Sequence, residues 1–313
     1  MVWLPDDWQI DHDTLIDAGG YMQKLKMYPY FDIAHYVLTC MAVREDLGLT
    51  SLSFSRKHPF SCWLSAMLMS FAGSFLASFL LGEPIISPLK RHEDVILASI
   101  VWYLVFYSPF DLTYKIAKLS PIKTCLVVVK EIQRAHKISA GIKYAARLYP
   151  ESYLVQVFVG VSKGAGSGVV KIVEQLVRGS WTPTNHEILK PSFTTKACVI
   201  ASIVFTLERH SMYVTAPHDL VYLCVVGFFV YFKLAAILFG VKDALMPIEN
   251  VICAIFMGGI FDAFAKAVNA TKQAVHSNRA LSEEEILSKE REKLQRRKKA
   301  TTPQQNGDAK KNN

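Results

Sequence analysis

Residues 219–241 hold a single charged side chain beyond Asp219, namely Lys233, in a run built mainly of Leu, Val, Phe, Ala, Ile and Tyr. About 20 apolar residues is the length that crosses a hydrocarbon core roughly 30 Å thick. Backbone in lipid must satisfy its own hydrogen bonds, and a helix does so within one segment. Six further runs read the same way, at 28–43, 59–81, 95–112, 121–142, 149–177 and 194–214. A chain that is 51% hydrophobic supports the pattern. The sequence therefore predicts an all-α polytopic membrane protein with seven transmembrane helices. Residues 1–27 form an acidic N-terminal segment with five Asp, and 28–245 the seven-helix domain. Residues 246–270 are apolar but too short to cross, so an interfacial helix is expected. Residues 271–313 read as a basic tail, helical from Ser282 and then disordered. The acidic start is no secretory leader, so the first span is expected to direct insertion.

Loop lysines and arginines set the topology. Arg44, Arg56 and Lys57 follow the first span, Lys115 and Lys118 the third, and Arg178 and Lys190 the fifth. Lys90, Arg91, Lys143 and Arg147 fall on the opposite side, but the majority places the N-terminus in the lumen and the C-terminus in the cytosol. An odd number of spans is then required. Ala72-Gly73-Ser74 in the second span matches Ala165-Gly166-Ser167 in the fifth. Pairing spans one to three with four to six gives an inverted repeat plus a seventh span. Inverted repeats with glycine-interrupted helices at matching positions point to a transport pathway.

The fourth span is unusual. At about 100° per residue, Lys123, Lys130, Arg134 and Lys137 fall within a wedge of roughly 60°. Lys123 can snorkel to the interface, but Lys130 lies about 10 Å further in and Arg134 about 6 Å beyond it. Cations at that depth face a polar cavity or an anionic partner. Glu131, roughly 100° from Lys130, cannot neutralise both. A phospholipid head group with two or more charges suits an Arg and a Lys together, by fork and by point charge. Inositol-phosphate head groups bind such basic pockets on the cytosolic side.

The run Lys163-Gly164-Ala165-Gly166-Ser167-Gly168 reads either as a broken helix lining a pore or as close helix packing. The first reading makes Gly73, Ser74 and Gly168 hinge positions. Asp32 and His35 share a face of the first span and are expected to pack it or to line a vestibule. The six cysteines lie in apolar stretches without CxxC spacing and are expected as small buried hydrophobes. Neither a nucleophile elbow nor paired catalytic carboxylates is present, nor a nucleic-acid signature. No catalysis and no metal site is expected.

Phe31-Asp32-Ile33-Ala34-His35-Tyr36, Pro109-Phe110-Asp111-Leu112, Lys130-Glu131-Ile132 and the glycine run resemble the trimeric intracellular cation channels. The resemblance covers about residues 25–265 and is strongest to nematode type B members; that family's Lys-Glu-Val is Lys-Glu-Ile here. It implies a homotrimer of the endoplasmic or sarcoplasmic reticulum with one pore per subunit. It also implies potassium flow that balances charge during calcium release, in functional coupling to calcium-release channels. A phosphatidylinositol 4,5-bisphosphate-type lipid is implied at Lys130 and Arg134, near Gly164, Gly166 and Ser167. The final Lys310-Lys311-Asn312-Asn313 fits a cytosolic di-lysine retrieval pattern. Bare lysines and arginines in a pore favour anions. Potassium passage therefore needs an anionic mask. A secondary transporter or anion-conducting protein built on the same stripe is the competing reading, and a non-conducting lipid-binding scaffold is a third.

Overall fold

The computed structural model describes residues 12–179, 187, 189–210, 216–240, 243, 245–257, 259, 261, 262, 266 and 269. The expected helix from Ser282 and the di-lysine end lie outside the described residues. Contacts divide the chain into Met1–Leu245 and Met246–Asn313.

In the first unit the helices are α1 (His12–Lys24), α2 (Tyr30–Leu47), α3 (Ser51–Lys57), α4 (Pro59–Leu80), α5 (His92–Tyr107) and α6 (Leu112–Lys118). They continue with α7 (Ser120–Leu148), α8 (Tyr153–Val177), α9 (Phe193–His210) and α10 (His218–Phe239). Local chemistry sets many of the ends. Pro59 and Pro121 sit in first turns, where a missing N–H costs nothing. Glu93 and Asp94 meet the positive end of α5. Gly240, at φ 68°, closes α10 in the left-handed conformation that a residue without Cβ adopts freely.

A helix stands at each of the seven expected positions. Among the described residues, α4, α8 and α10 suffice by length and apolarity alone to cross a membrane, and a fourth crossing is reached if α5 and the segment after it count as one bent span. The expected third span at 95–112 is interrupted: helix Pro109–Lys118 turns 91° from α5. Phe110 and Asp111 both take positive φ at that corner. Arg44, read as a loop cation, belongs instead to α2 and is buried at 6% exposure. Part of the acidic N-terminal segment forms α1, whose Met22 packs on the core built by α7, α9 and α10. Cys40, Cys62 and Cys198 are buried as expected, whereas Cys125, Cys224 and Cys253 lie on outward faces, which are apolar here because lipid is the expected solvent.

Two large apolar cores and a smaller cluster of Ala77, Leu81, Ala145 and Val159 carry the unit among the described residues. One gathers Tyr36, Cys40 and Met41 of α2, Ala66 and Phe71 of α4, and Val101 and Phe106 of α5. The other gathers Ala135 and Ile138 of α7, Ala165 of α8, Ala201 and Phe205 of α9, and Tyr222 and Phe229 of α10. They join where α4 crosses α8. A methyl on Gly73 would stand 2.8 Å from the carbonyl oxygens of Ser162 and Lys163, and one on Gly166 only 2.7 Å from the Gly73 Cα. Only hydrogen at both positions permits this approach. The second unit contains α11 (Met246–Phe256), whose 11 residues are too few to span a bilayer, in keeping with an interfacial helix.

Candidate functional site

The four-cation stripe of α7 runs along three neighbouring spaces that share lining residues. Toward the α7 start, a cavity of about 200 Å³ is lined by Glu45 of α2, Lys123, Lys130, Glu131 and Arg134 of α7, and Lys233 of α10. Lys130 and Arg134 also line the next space, a waist of about 40 Å³. His35, Gly73, Ser74, Lys137 and Lys163 complete the waist, with Gly164, Gly166 and Ser167. Beyond it, Ser74 and Lys137 lead into a cavity of about 340 Å³ that contains Asp32, Arg91 and Asp94. A side chamber of about 190 Å³ holds Lys137, Tyr144 and Lys163. One water needs roughly 10–15 Å³ of such space, so the waist admits only a few.

Hydrogen bonds fix the walls. Arg134 Nη1 donates to Glu131 Oε2 at 2.8 Å, and the Glu131 side chain is 3% exposed. Glu131 is therefore committed to Arg134, not to Lys130. Lys123 meets Glu45 at 3.6 Å. Lys163 Nζ donates to the Ser74 hydroxyl at 3.2 Å, tying α8 to α4. Gln133 Nε2 donates to Asp32 Oδ1 at 2.5 Å, and His35 Nε2 donates to the Ser70 carbonyl at 3.0 Å. Among the described residues, no carboxylate comes within 4.0 Å of Lys130, Lys137 or Lys163. The waist thus carries four cations, and Glu131, the acid paired with Arg134, lines the neighbouring cavity instead. Such an excess of positive charge attracts anions and repels cations.

Lys130, Arg134, Gly73, Ser74, Gly164, Gly166 and Ser167 therefore come together in the waist. Gly168 does not; it lies against Glu187, whose Cγ would be 2.6 Å from an added methyl. The glycine run does not break its helix, because α8 is continuous from Tyr153 to Val177. Those glycines let neighbouring helices approach. Asp32 and His35 do both things expected of them, bonding across helices and lining cavities. Lys137 and Lys163, expected as members of the α7 stripe and of the glycine run and not as lipid ligands, also reach the waist. Gln133 and Lys233 were not among the expected site residues and look ordinary in sequence.

The model of the TRIC channel family matches residues 48–240. The chain is 76% identical over 313 residues, the whole length of both proteins, to "Trimeric intracellular cation channel type 1B.2" of Caenorhabditis elegans. Among solved structures, a trimeric intracellular cation channel from C. elegans in the absence of Ca2+ is 79% identical, with TM-score 0.69, covering 72% of this chain and 97% of that one. A structure described as explaining the activity of TRIC counter-ion channels in calcium release is 35% identical, with TM-score 0.68, covering 72% and 99%. This chain is accordingly an all-α, multi-pass membrane protein that conducts rather than catalyses, and it belongs to the TRIC channel family.

Proposed function

We propose that this protein is a potassium channel of the endoplasmic or sarcoplasmic reticulum supplying counter-ion current during calcium release, with one conduction path in each subunit of a homotrimer. The observation that carries this reading is the narrow waist between two wider cavities, strung along one face of α7 within a single chain. From Lys123 to Lys137 that face is about 21 Å long at 1.5 Å per residue, most of a ~30 Å hydrocarbon core. The layout is seven spans, α2, α4, α5, α7, α8, α9 and α10, with the N-terminus lumenal and the C-terminus cytosolic. The meeting of Gly73 with Gly166 supports an inverted repeat, since equivalent positions face each other across its axis. Gly73 and Ser74, which line the waist, are the pore hinge on this reading, and Gly168, expected with them, lies apart against Glu187.

The anionic mask is a phosphatidylinositol 4,5-bisphosphate-type lipid, bound by Lys130 and Arg134. The waist is too small for an inositol phosphate, so the head group sits in the cavity beside it and extends toward Gly164, Gly166 and Ser167. Lys130→Ala and Arg134→Ala should each reduce the phosphoinositide that copurifies, as read by mass spectrometry. Full retention in both variants would defeat the lipid assignment.

The competing reading, anion conduction or anion transport, draws on the excess of cations in the waist. The deciding experiment is the reversal potential of purified protein in a planar bilayer under a KCl gradient. Reversal near the potassium potential supports a masked cation pore. Reversal near the chloride potential means that Lys130 and Arg134 face permeating anions. Flux without unitary current steps would identify a transporter.

A further inference from the structure

The corner after α5 carries an outward apolar edge that the conduction path does not use. We infer that α6 and the Phe110 corner before it form an interfacial wedge that sits in the membrane surface and grips anionic lipid head groups. The geometry is specific. The segment from Pro109 to Lys118 turns 91° from α5, so if α5 crosses the membrane this segment runs along its surface. Phe110, at φ 54°, and Asp111, at φ 58°, hold the left-handed conformation that a bulky side chain avoids. Strain of that kind persists only where surroundings over-determine it. Here Arg44 does so: Nη1 donates to the Val105 carbonyl at 2.7 Å, Nη2 to Asp111 Oδ2 at 2.9 Å, and its guanidinium lies 4.0 Å over the Tyr114 ring.

The strained corner sends the Phe110 side chain outward at 93% exposure. Leu112, Ile116 and Leu119 are exposed beside it; at about 100° per residue Leu112 and Ile116 share one face of α6, and Leu119 follows directly after its end. Ala117 is buried on the opposite face. Lys115 and Lys118 are exposed and, at about 100° per residue, lie together along one side of the apolar edge. An apolar face bordered by lysines, on a helix lying across its neighbours, matches a lipid–water interface with negative head groups. A water-facing helix would gain nothing from such a face. The wedge is also connected to the pore. Leu119 alone separates α6 from α7, and Arg44 ties the corner to α2, so the corner is joined to two of the three helices that wall the Lys130 cavity.

The placement of α5 as a span rests on the proposed layout, but the test does not depend on which leaflet α6 meets. Spin labels at Phe110→Cys and Ile116→Cys, with Cys125, Cys224 and Cys253 replaced by serine, would be read in nanodiscs of symmetric lipid. The channel's reversal potential, measured on the same variants, checks the functional reading separately. We expect collisions with oxygen, which concentrates in lipid, to exceed those with a water-soluble nickel chelate several-fold at both sites. Lys115→Gln with Lys118→Gln should make the label depth insensitive to added phosphatidylserine, whereas the parent deepens. Dominant nickel collisions would place α6 in water and overturn the inference. Dipolar broadening between labels would overturn it too, because it would show another copy of the chain covering this face.

Discussion

Arg44 and Lys130 are both cations within a helical bundle read as membrane-spanning, and the structure treats them in opposite ways. Arg44 has a carboxylate, a carbonyl and an aromatic face, all supplied by the protein. Its carbonyl partner, Val105, is one of the acceptors left open at the end of α5. Lys130 lies between two cavities, and among the described residues no carboxylate comes within 4.0 Å of it. A cation whose needs are met within the fold is a structural fastening. One whose needs are not met is reserved for something that arrives from outside.

The largest effect should come from breaking the satisfied site. Removing one partner of a fully buried pair costs about 3–5 kcal/mol; Asp111 is 30% exposed and keeps part of its hydration, so Arg44→Ala should cost about the lower end of that range, lowering the thermal midpoint while copurified phosphoinositide per folded protein stays constant. Lipid loss without destabilisation would erase the distinction between the two cations. Next comes Gly166→Ala, where the added methyl meets backbone that cannot rotate away. Overpacking of this kind costs roughly 1–3 kcal/mol, measurable as reduced thermal stability. Glu131→Gln should matter less for stability but leave Arg134 unpaired, moving the reversal potential toward chloride. An unmoved potential would mean that Arg134 is not sensed by permeating ions. The smallest stability effect is expected for Lys130→Met: removal of an unpaired cation relieves its desolvation, so delipidated protein should be held or slightly stabilised. A large loss there would reveal a structural partner for Lys130.

Much of the site was legible because helical periodicity is a strong signal. The spacing of Lys123, Lys130, Arg134 and Lys137 places them on one face whatever surrounds the helix, and the cavities run along that face. The two glycine triplets were also readable as a pair, and Gly73 and Gly166 do meet. What they do there was less readable, since three glycines in an apolar run suit an unwound helix and a tightly packed one equally well. Arg44 was misread for a physical reason. A charged residue near the end of an apolar run looks like a loop cation, and its partners Val105 and Asp111 are far away in sequence. The corner at Phe110 was hidden likewise, because hydropathy carries no information about a 91° turn.

The Gly73–Gly166 crossing has one more consequence. The two helices meet there backbone to backbone, and hydrogen bonds from Lys163 to Ser74 and from Ser61 to the Val177 carbonyl fasten them at the crossing and at the far end of α4. The crossing is therefore a clamp and not a pivot. The waist lies beside it, so part of that wall is backbone held at a fixed distance, which cannot swing aside as a side chain can.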